Sequence, residues 1–301
     1  MRKIHLYYFI TILALFFVSS CGTSTEENGE QNIEDEVLEE IDSTSTQLYK
    51  FDNTLFSIPS PYEVSILMKN LNIEFNPDIL NPIGNSPNYT NSFTKALNIG
   101  VYGADLAYLN MNDQIPEATK YFATVKIIAE ELQLSAAFDV ETIKRVEANL
   151  GNEDSLLYIL SKVYRNTDKY LKENNRQDLG VLVLTGGWIE SLSFLAKVAM
   201  ETNNDQIKER LGEQKYPLDN LIKILTPFYN KSDQYGALIE SLIDLAYVFD
   251  GIEVEYVYEA PTTNAENKLT MINSSTQLLM NAEHVSMISD KVNKIRTSII
   301  N

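Results

Sequence analysis

Cysteine occurs once in this sequence, at position 21, and histidine twice, at His5 and His284. His5 lies in the opening apolar run and His284 stands alone near the C-terminus. Neither supports a Ser-His-Asp or Cys-His arrangement, and no zinc site can be assembled from Cys and His. A lone cysteine also leaves no disulfide within the chain, so stability must come from an apolar core. The 12 glycines form no phosphate-binding loop and no dinucleotide fingerprint, and the acids form no calcium loop. No cofactor and no metal are therefore expected. Basic residues are scarce, 24 Lys and Arg against 42 Asp and Glu, for a net charge of −18. Such a surface repels phosphate backbones and excludes nucleic acid as a partner.

What is present begins at the N-terminus. Arg2 and Lys3 precede an almost unbroken apolar run from Ile4 to Val18, followed by Ser19, Ser20 and Cys21. Positive start, short apolar core and small residues, in that order, read as a secretory signal over residues 1–20. The run is too short, and too soon followed by polar sequence, to be a membrane span. Val18-Ser19-Ser20-Cys21 resembles the lipobox of bacterial lipoproteins. The resemblance implies that the Cys21 thiol carries diacylglycerol and that cleavage makes Cys21 the new N-terminus. Two or three acyl chains hold a protein on a membrane where one binds only marginally. Losing Arg2 and Lys3, and no acid, makes the mature chain still more negative.

Nine acids and no base fall between Gly22 and Gln47. Ser, Thr, Asn and Gly fill most of the remainder. This composition buries too little apolar surface to order itself, so residues 21–50 read as a flexible, self-repelling tether. Acids soon after the cysteine resemble the surface-export signals of Bacteroidetes lipoproteins, although here they start later. The implied location is the cell envelope, at the outer membrane.

Residues 51–301 read as one all-α domain of antiparallel helical hairpins, in a bundle or a short irregular solenoid. Apolar periodicity predicts helices over 62–71, 91–112, 116–134, 140–150, 155–174, 178–202, 205–211, 218–229, 233–249 and a long one over 265–300. Pro116 suits a first turn, Asp139 an N-cap for the helix at Val140, and Thr263-x-x-Glu266 a capping box for the last helix. That helix would carry a seam through Met271, Leu278, Val285, Val292 and Ile299, seven residues apart. One run, Glu253–Tyr258, alternates like a strand but has no evident partner.

Gly186–Ala196 and Gly236–Ala246 are identical at seven of eleven positions. Asp105-Leu-Ala-Tyr108 also recurs as Asp244-Leu-Ala-Tyr247. These echoes suggest repeated helical hairpins. Gly100, Gly103, Gly186 and Gly187 fall inside predicted helices, where each costs about 1 kcal/mol relative to Ala. Close helix approach explains them, and so does a ligand cleft. Asp105, Glu190, Glu240 and Asp244 lie in apolar helices and would need partners if buried. The candidate polar pocket takes Asp105 and Glu190 as acceptors and Tyr102, Tyr108 and Trp188 as stacking walls, a combination suited to a sugar or other polar ligand. Gly186-Gly-Trp-Ile-Glu190 lacks the histidine of the imelysin-like Gly-x-His-x-x-Glu motif.

Two functions follow. One is a non-catalytic, lipid-anchored binding or scaffolding protein, with an envelope protein or a glycan as partner. The other is a carboxylate-dependent envelope hydrolase acting on glycans, which needs two carboxyls about 5–10 Å apart.

Overall fold

The computed structural model describes residues 46–51, 54–134, 140–264 and 268–301. The expected signal peptide, Cys21 and the tether up to residue 45 lie outside the described residues, as do Asp139 and Glu266. Residues 46–50, expected in the tether, instead belong to a hairpin of β1 (Thr46–Phe51) and β2 (Thr54–Pro59).

Ten helices follow among the described residues: α1 (Pro61–Asn70), α2 (Ser92–Met111), α3 (Ile115–Glu131), α4 (Val140–Asn149), α5 (Glu153–Glu173), α6 (Gln177–Thr202), α7 (Asp205–Glu213), α8 (Lys215–Leu225), α9 (Asp233–Asp250) and α10 (Ala282–Ile300). The all-α expectation holds. Side-chain caps start many of the helices: Ser60 accepts the Tyr62 N–H, Asn91 that of Thr94, Asn152 that of Ser155 and Asn204 those of Gln206 and Ile207. Pro116 sits in the first turn of α3, as expected. Gly151 (φ 88°) follows α4 and Gly251 caps α9, but five other helix ends are made without glycine. Asn72, Asp113, Gln133, Asn175 and Asn203 follow α1, α2, α3, α5 and α6 in the left-handed region, with φ between 50° and 59°.

Helix α6 is the axis of the body. It is long and apolar enough to cross a membrane, the one such helix among the described residues, yet 94% of that window is buried inside the protein. Helices α1, α2, α5, α7, α8 and α10 all pack on it, α2 most extensively. A solenoid repeat touches only its neighbours, so this arrangement is a bundle around one helix. Glycine allows the α2–α6 approach. A Cβ added at Gly186 would collide with the Leu97 carbonyl, lying 2.8 Å from its carbon, and one at Gly100 would stand 2.6 Å from the Gly187 nitrogen. Gly103 is different: an added Cβ would meet nothing within 4 Å.

The long C-terminal helix is shorter than expected. Residues 253–264 and 268–279 form an antiparallel ribbon instead. Within it β3 (Glu253–Val257) pairs with β6 (Ser275–Leu279), and β4 (Thr262–Asn264) with β5 (Leu269–Met271). The strand-like run at 253–258 thus has its partner in residues assigned to helix. Thr263 lies in β4 and caps nothing. The seam residues Met271 and Leu278 belong to strands, while Val285, Ile288, Val292, Ile295 and Ile299 do line the core. Asn273-Ser274-Ser275-Thr276 has weak helix propensity, and the alternation of 253–258 offers it a ladder. The capping box of α10 is Asn281 with His284: the Asn281 side chain accepts the His284 N–H at 2.9 Å, and His284 Nδ1 accepts the Asn281 N–H at 3.3 Å.

Candidate functional site

Asp105 on α2 and Glu190 on α6 face one another in the core, both with no solvent exposure. A buried carboxylate requires compensation. Arg296 on α10 supplies it. Its Nε donates to Glu190 Oε2 at 2.6 Å and its Nη2 to Oε1 at 2.6 Å, a bidentate clasp. The same Nη2 donates to the Ile79 carbonyl at 2.7 Å. The Asn81 backbone N–H donates to Asp105 Oδ2 at 3.2 Å. No N–H or hydroxyl donor among the described residues reaches Asp105 Oδ1.

Burial, then the charge of Glu190, hold the Asp105 carboxyl well above the ordinary carboxylate range, and a side-chain hydrogen bond joins the two residues. Burial lifts Glu190 as well, but the Arg296 hydrogen bonds and charge oppose the lift. Burial therefore favours the protonated form of both acids, and more strongly at Asp105 than at Glu190, which Arg296 clasps. Burial works against the charge of Arg296, yet Glu190 and Asp105 more than restore it and raise its pKa. The Arg296 guanidinium thus compensates the buried acids, as a charge taken out of water requires.

The cluster continues into a polar network around Asn81. Asn81 Nδ2 donates to the Tyr89 hydroxyl at 3.0 Å and to Asn98 Oδ1 at 3.3 Å, while Tyr121 donates to the Asn81 carbonyl at 2.9 Å. Asn98 Nδ2 donates to the Ile299 carbonyl at 2.8 Å, and Tyr89 to that of Ile300 at 3.3 Å. Tyr102 donates to the Pro82 carbonyl at 3.0 Å, and the Tyr108 hydroxyl accepts the Asn76 N–H at 2.9 Å. The shared target is the irregular stretch 76–89, with 3-10 turns at Pro77–Ile79 and Ile83–Asn88, together with the last carbonyls of α10. Neither can satisfy its own backbone, and the network does it for them.

All five candidate pocket residues are at most 2% exposed. Tyr102, Asp105 and Glu190 lie together, and Tyr108 joins through Asn76. Trp188 is tied elsewhere, its indole N–H donating to Gln214 Oε1 at 3.0 Å. The aromatic walls stack on the protein's own rings. Tyr108 lies 5.4 Å from Phe75 and 5.3 Å from Phe194, and Tyr102 lies 5.8 Å from Tyr121. Both carboxyls are enclosed by the protein, and Glu190 is taken up by Arg296. Glu240 and Asp244, also expected in apolar surroundings, are exposed on the outer face of α9. Glu240 accepts from Tyr229 at 2.5 Å, and Asp244 pairs with Lys291 at 3.3 Å. Arg296, Asn81 and Asn98 are absent from the sequence reading. The demand for a cation was legible in Asp105 and Glu190, but not its source 106 residues from Glu190.

The ribbon offers a different surface. Its two halves are offset by one residue, as at a bulge. Side chains bridge the offset: Ser274 Oγ accepts the Glu259 N–H at 3.1 Å, and Asn273 Nδ2 donates to the Ala260 carbonyl at 2.8 Å. Val254, Tyr256, Tyr258, Leu269, Met271, Ile272 and Leu279 are all exposed, Tyr258 at 70% and Ile272 at 82%. At its root is an open cleft of about 580 Å³ lined by Gly251, Glu253, Leu279, Met280, Asn281 and His284. Large apolar side chains are thus concentrated, in solvent, on one appendage of the body. Comparison with protein-family models, curated proteins and solved structures finds no match for this chain.

Proposed function

We propose that this chain is a lipid-anchored envelope protein whose helical body is a non-catalytic scaffold presenting the ribbon of residues 253–264 and 268–279 to a protein partner. The observation that carries this reading is the ribbon itself, with large apolar and aromatic side chains held in solvent on a two-stranded support. The buried acid pair supports it from the other side, because its polar atoms serve 76–89 and α10 rather than a substrate. Arg2, Lys3, the apolar run and Val18-Ser19-Ser20-Cys21 support the anchor and an outer-membrane location. Tyr256→Ser with Ile272→Ser tests the reading. In-cell crosslinking of the full-length chain should recover a protein bound through the ribbon, and the double variant should lose it with helicity unchanged. Undiminished capture would place the binding surface elsewhere. For the anchor, palmitate labelling should disappear in Cys21→Ala.

A further inference from the structure

The ribbon has two outer edges, and they are chemically unlike. The β3 edge carries Glu253 and Glu255, with Glu259 just beyond. The β6 side runs from Leu269 to Ala282 without a charge, a proline or a glycine. β6 has β3 as its sole strand neighbour among the described residues, so one row of its N–H and C=O groups has no strand opposite. Exposed edges are ordinarily guarded by lysine, proline or an inward charge. Ser275, Thr276 and Gln277 carry none of these and are exposed. The strand is also held in place. Leu278 and Met280 pack at Gly212 of α7, where an added Cβ would lie 2.9 Å from Leu278 Cδ1.

We propose that β6 pairs antiparallel with β6 of a second copy about a two-fold axis, making a four-stranded sheet across two molecules. The inference rests on the ribbon being the docking surface. Charge selects both the occupant and the edge. Two copies of a chain with net charge −18 repel one another, and approach is least opposed where charge is missing. Pairing β3 with β3 would bring Glu253 and Glu255 of two copies against each other, and like charges opposed on a ladder are destabilising. Pairing β6 with β6 opposes Ser, Thr and Gln, whose side chains can hydrogen-bond to their own kind across a ladder. An antiparallel strand pair is self-complementary, as a two-fold interface requires. Anchoring on a common membrane would raise the effective concentration of copies for each other.

The test uses the full-length chain in cell membranes, with single cysteines introduced as Gln277→Cys, Thr276→Cys or Glu255→Cys. Opposed residues on such a ladder have Cβ atoms about 4.5–5.5 Å apart, close to disulfide reach. Only the residue on the two-fold axis opposes its own copy, so mild oxidation should link at least one β6 variant, or a mixture of the two, into dimers and leave Glu255→Cys and the native chain monomeric. Gln277→Lys should abolish crosslinking of copies by a lysine-independent photoprobe at Thr276 while helical circular dichroism is unchanged. A dimer through Glu255→Cys instead would overturn the choice of edge. If the β6 cysteines give no dimer while a photoprobe in the ribbon captures another envelope protein, self-pairing is wrong and the docking surface stands. If the ribbon captures nothing, both readings fail.

Discussion

Gly100, Gly103 and Gly186 are helical glycines indistinguishable by propensity, and the structure assigns them opposite consequences on replacement by alanine. Alanine favours a helix over glycine by about 1 kcal/mol. At Gly186 the new methyl would overlap the Leu97 carbonyl, whose carbon is 2.8 Å away; at Gly100 it would stand 3.0 Å from the Val183 carbonyl carbon. Both obstacles are backbone and cannot rotate aside, so α2 and α6 must separate along the largest helix contact of the body. Overpacking of this kind costs roughly 1–3 kcal/mol, and with rigid obstacles on both sides the upper part of that range applies. Subtracting the propensity gain leaves a net loss of about 2 kcal/mol for Gly186→Ala. For a domain of this size the melting temperature should fall by roughly 4–8 °C. Gly103→Ala meets nothing within 4 Å. It should keep the propensity gain, about 0.5–1 kcal/mol, and melt about 2–3 °C higher. Urea and thermal unfolding followed by helical circular dichroism read both effects. If Gly103→Ala and Gly186→Ala move the midpoint in the same direction, the account of the α2–α6 contact is wrong.

The acid pair gives a pH signature. Because the folded state holds the Asp105 proton to higher pH than the unfolded chain does, stability falls as pH rises from the ordinary carboxylate range toward the raised folded value, by at most about 1.4 kcal/mol per pH unit. Asp105→Asn keeps an amide donor toward Glu190 and an acceptor for the Asn81 N–H, so the variant should lose that slope and be the more stable at neutral pH. Denaturation at several pH values checks it, and an unchanged slope would show that Asp105 is not the proton's holder. Arg296→Met should strand a buried carboxylate at a cost of about 3–5 kcal/mol, and adding Glu190→Gln should recover part of the loss rather than add to it, as a double-mutant cycle would read. Glu190→Ala should cost several-fold more stability than Glu240→Ala, whose exposed partner contributes at most about 1 kcal/mol.

The helices were legible because their signals are local. Ser60, Asn91, Asn152 and Asn204 cap where the periodicity begins, and nine of the ten expected helices lie within a few residues of their expected ends. The tenth failed for a definite reason. Met271 and Leu278 stand fourteen and seven residues before Val285, so their spacing continued a heptad that the chain abandons. The competing fact, a ladder between 253–257 and 275–279, is not local: the first half alternates like a strand, but its partner carries no such signal alone. Helix stops were harder still, because the chain ends five helices at left-handed Asn, Asp or Gln, which mark a stop less plainly than glycine does. The buried cluster was half legible. Asp105 and Glu190 announced themselves as acids in apolar company, but a lone Arg296 beside Lys294 on an amphipathic helix looks like any solvated base.

The internal echo shows why similar words carry different meanings in this chain. Gly186–Ala196 and Gly236–Ala246 share Gly, Ile, Glu, Ser, Leu, Leu and Ala in register. In α6, Glu190 is clasped by Arg296, and Gly186 admits the Leu97 backbone. In α9, Glu240 reaches into solvent to Tyr229, and a Cβ at Gly236 would meet only ordinary contacts from 3.6 Å outward. The second echo divides the same way: Asp105 and Tyr108 are buried, while Asp244 and Tyr247 are exposed. What differs is the flanking residue. Trp188 and Phe194 in α6 stand where Leu238 and Asp244 stand in α9, so α6 is apolar on every face and must be enclosed, whereas α9 keeps a wet side. A stripe common to both copies satisfies a core from one direction. The residues outside that stripe decide whether a glutamate becomes the centre of a buried charge cluster or a surface acid.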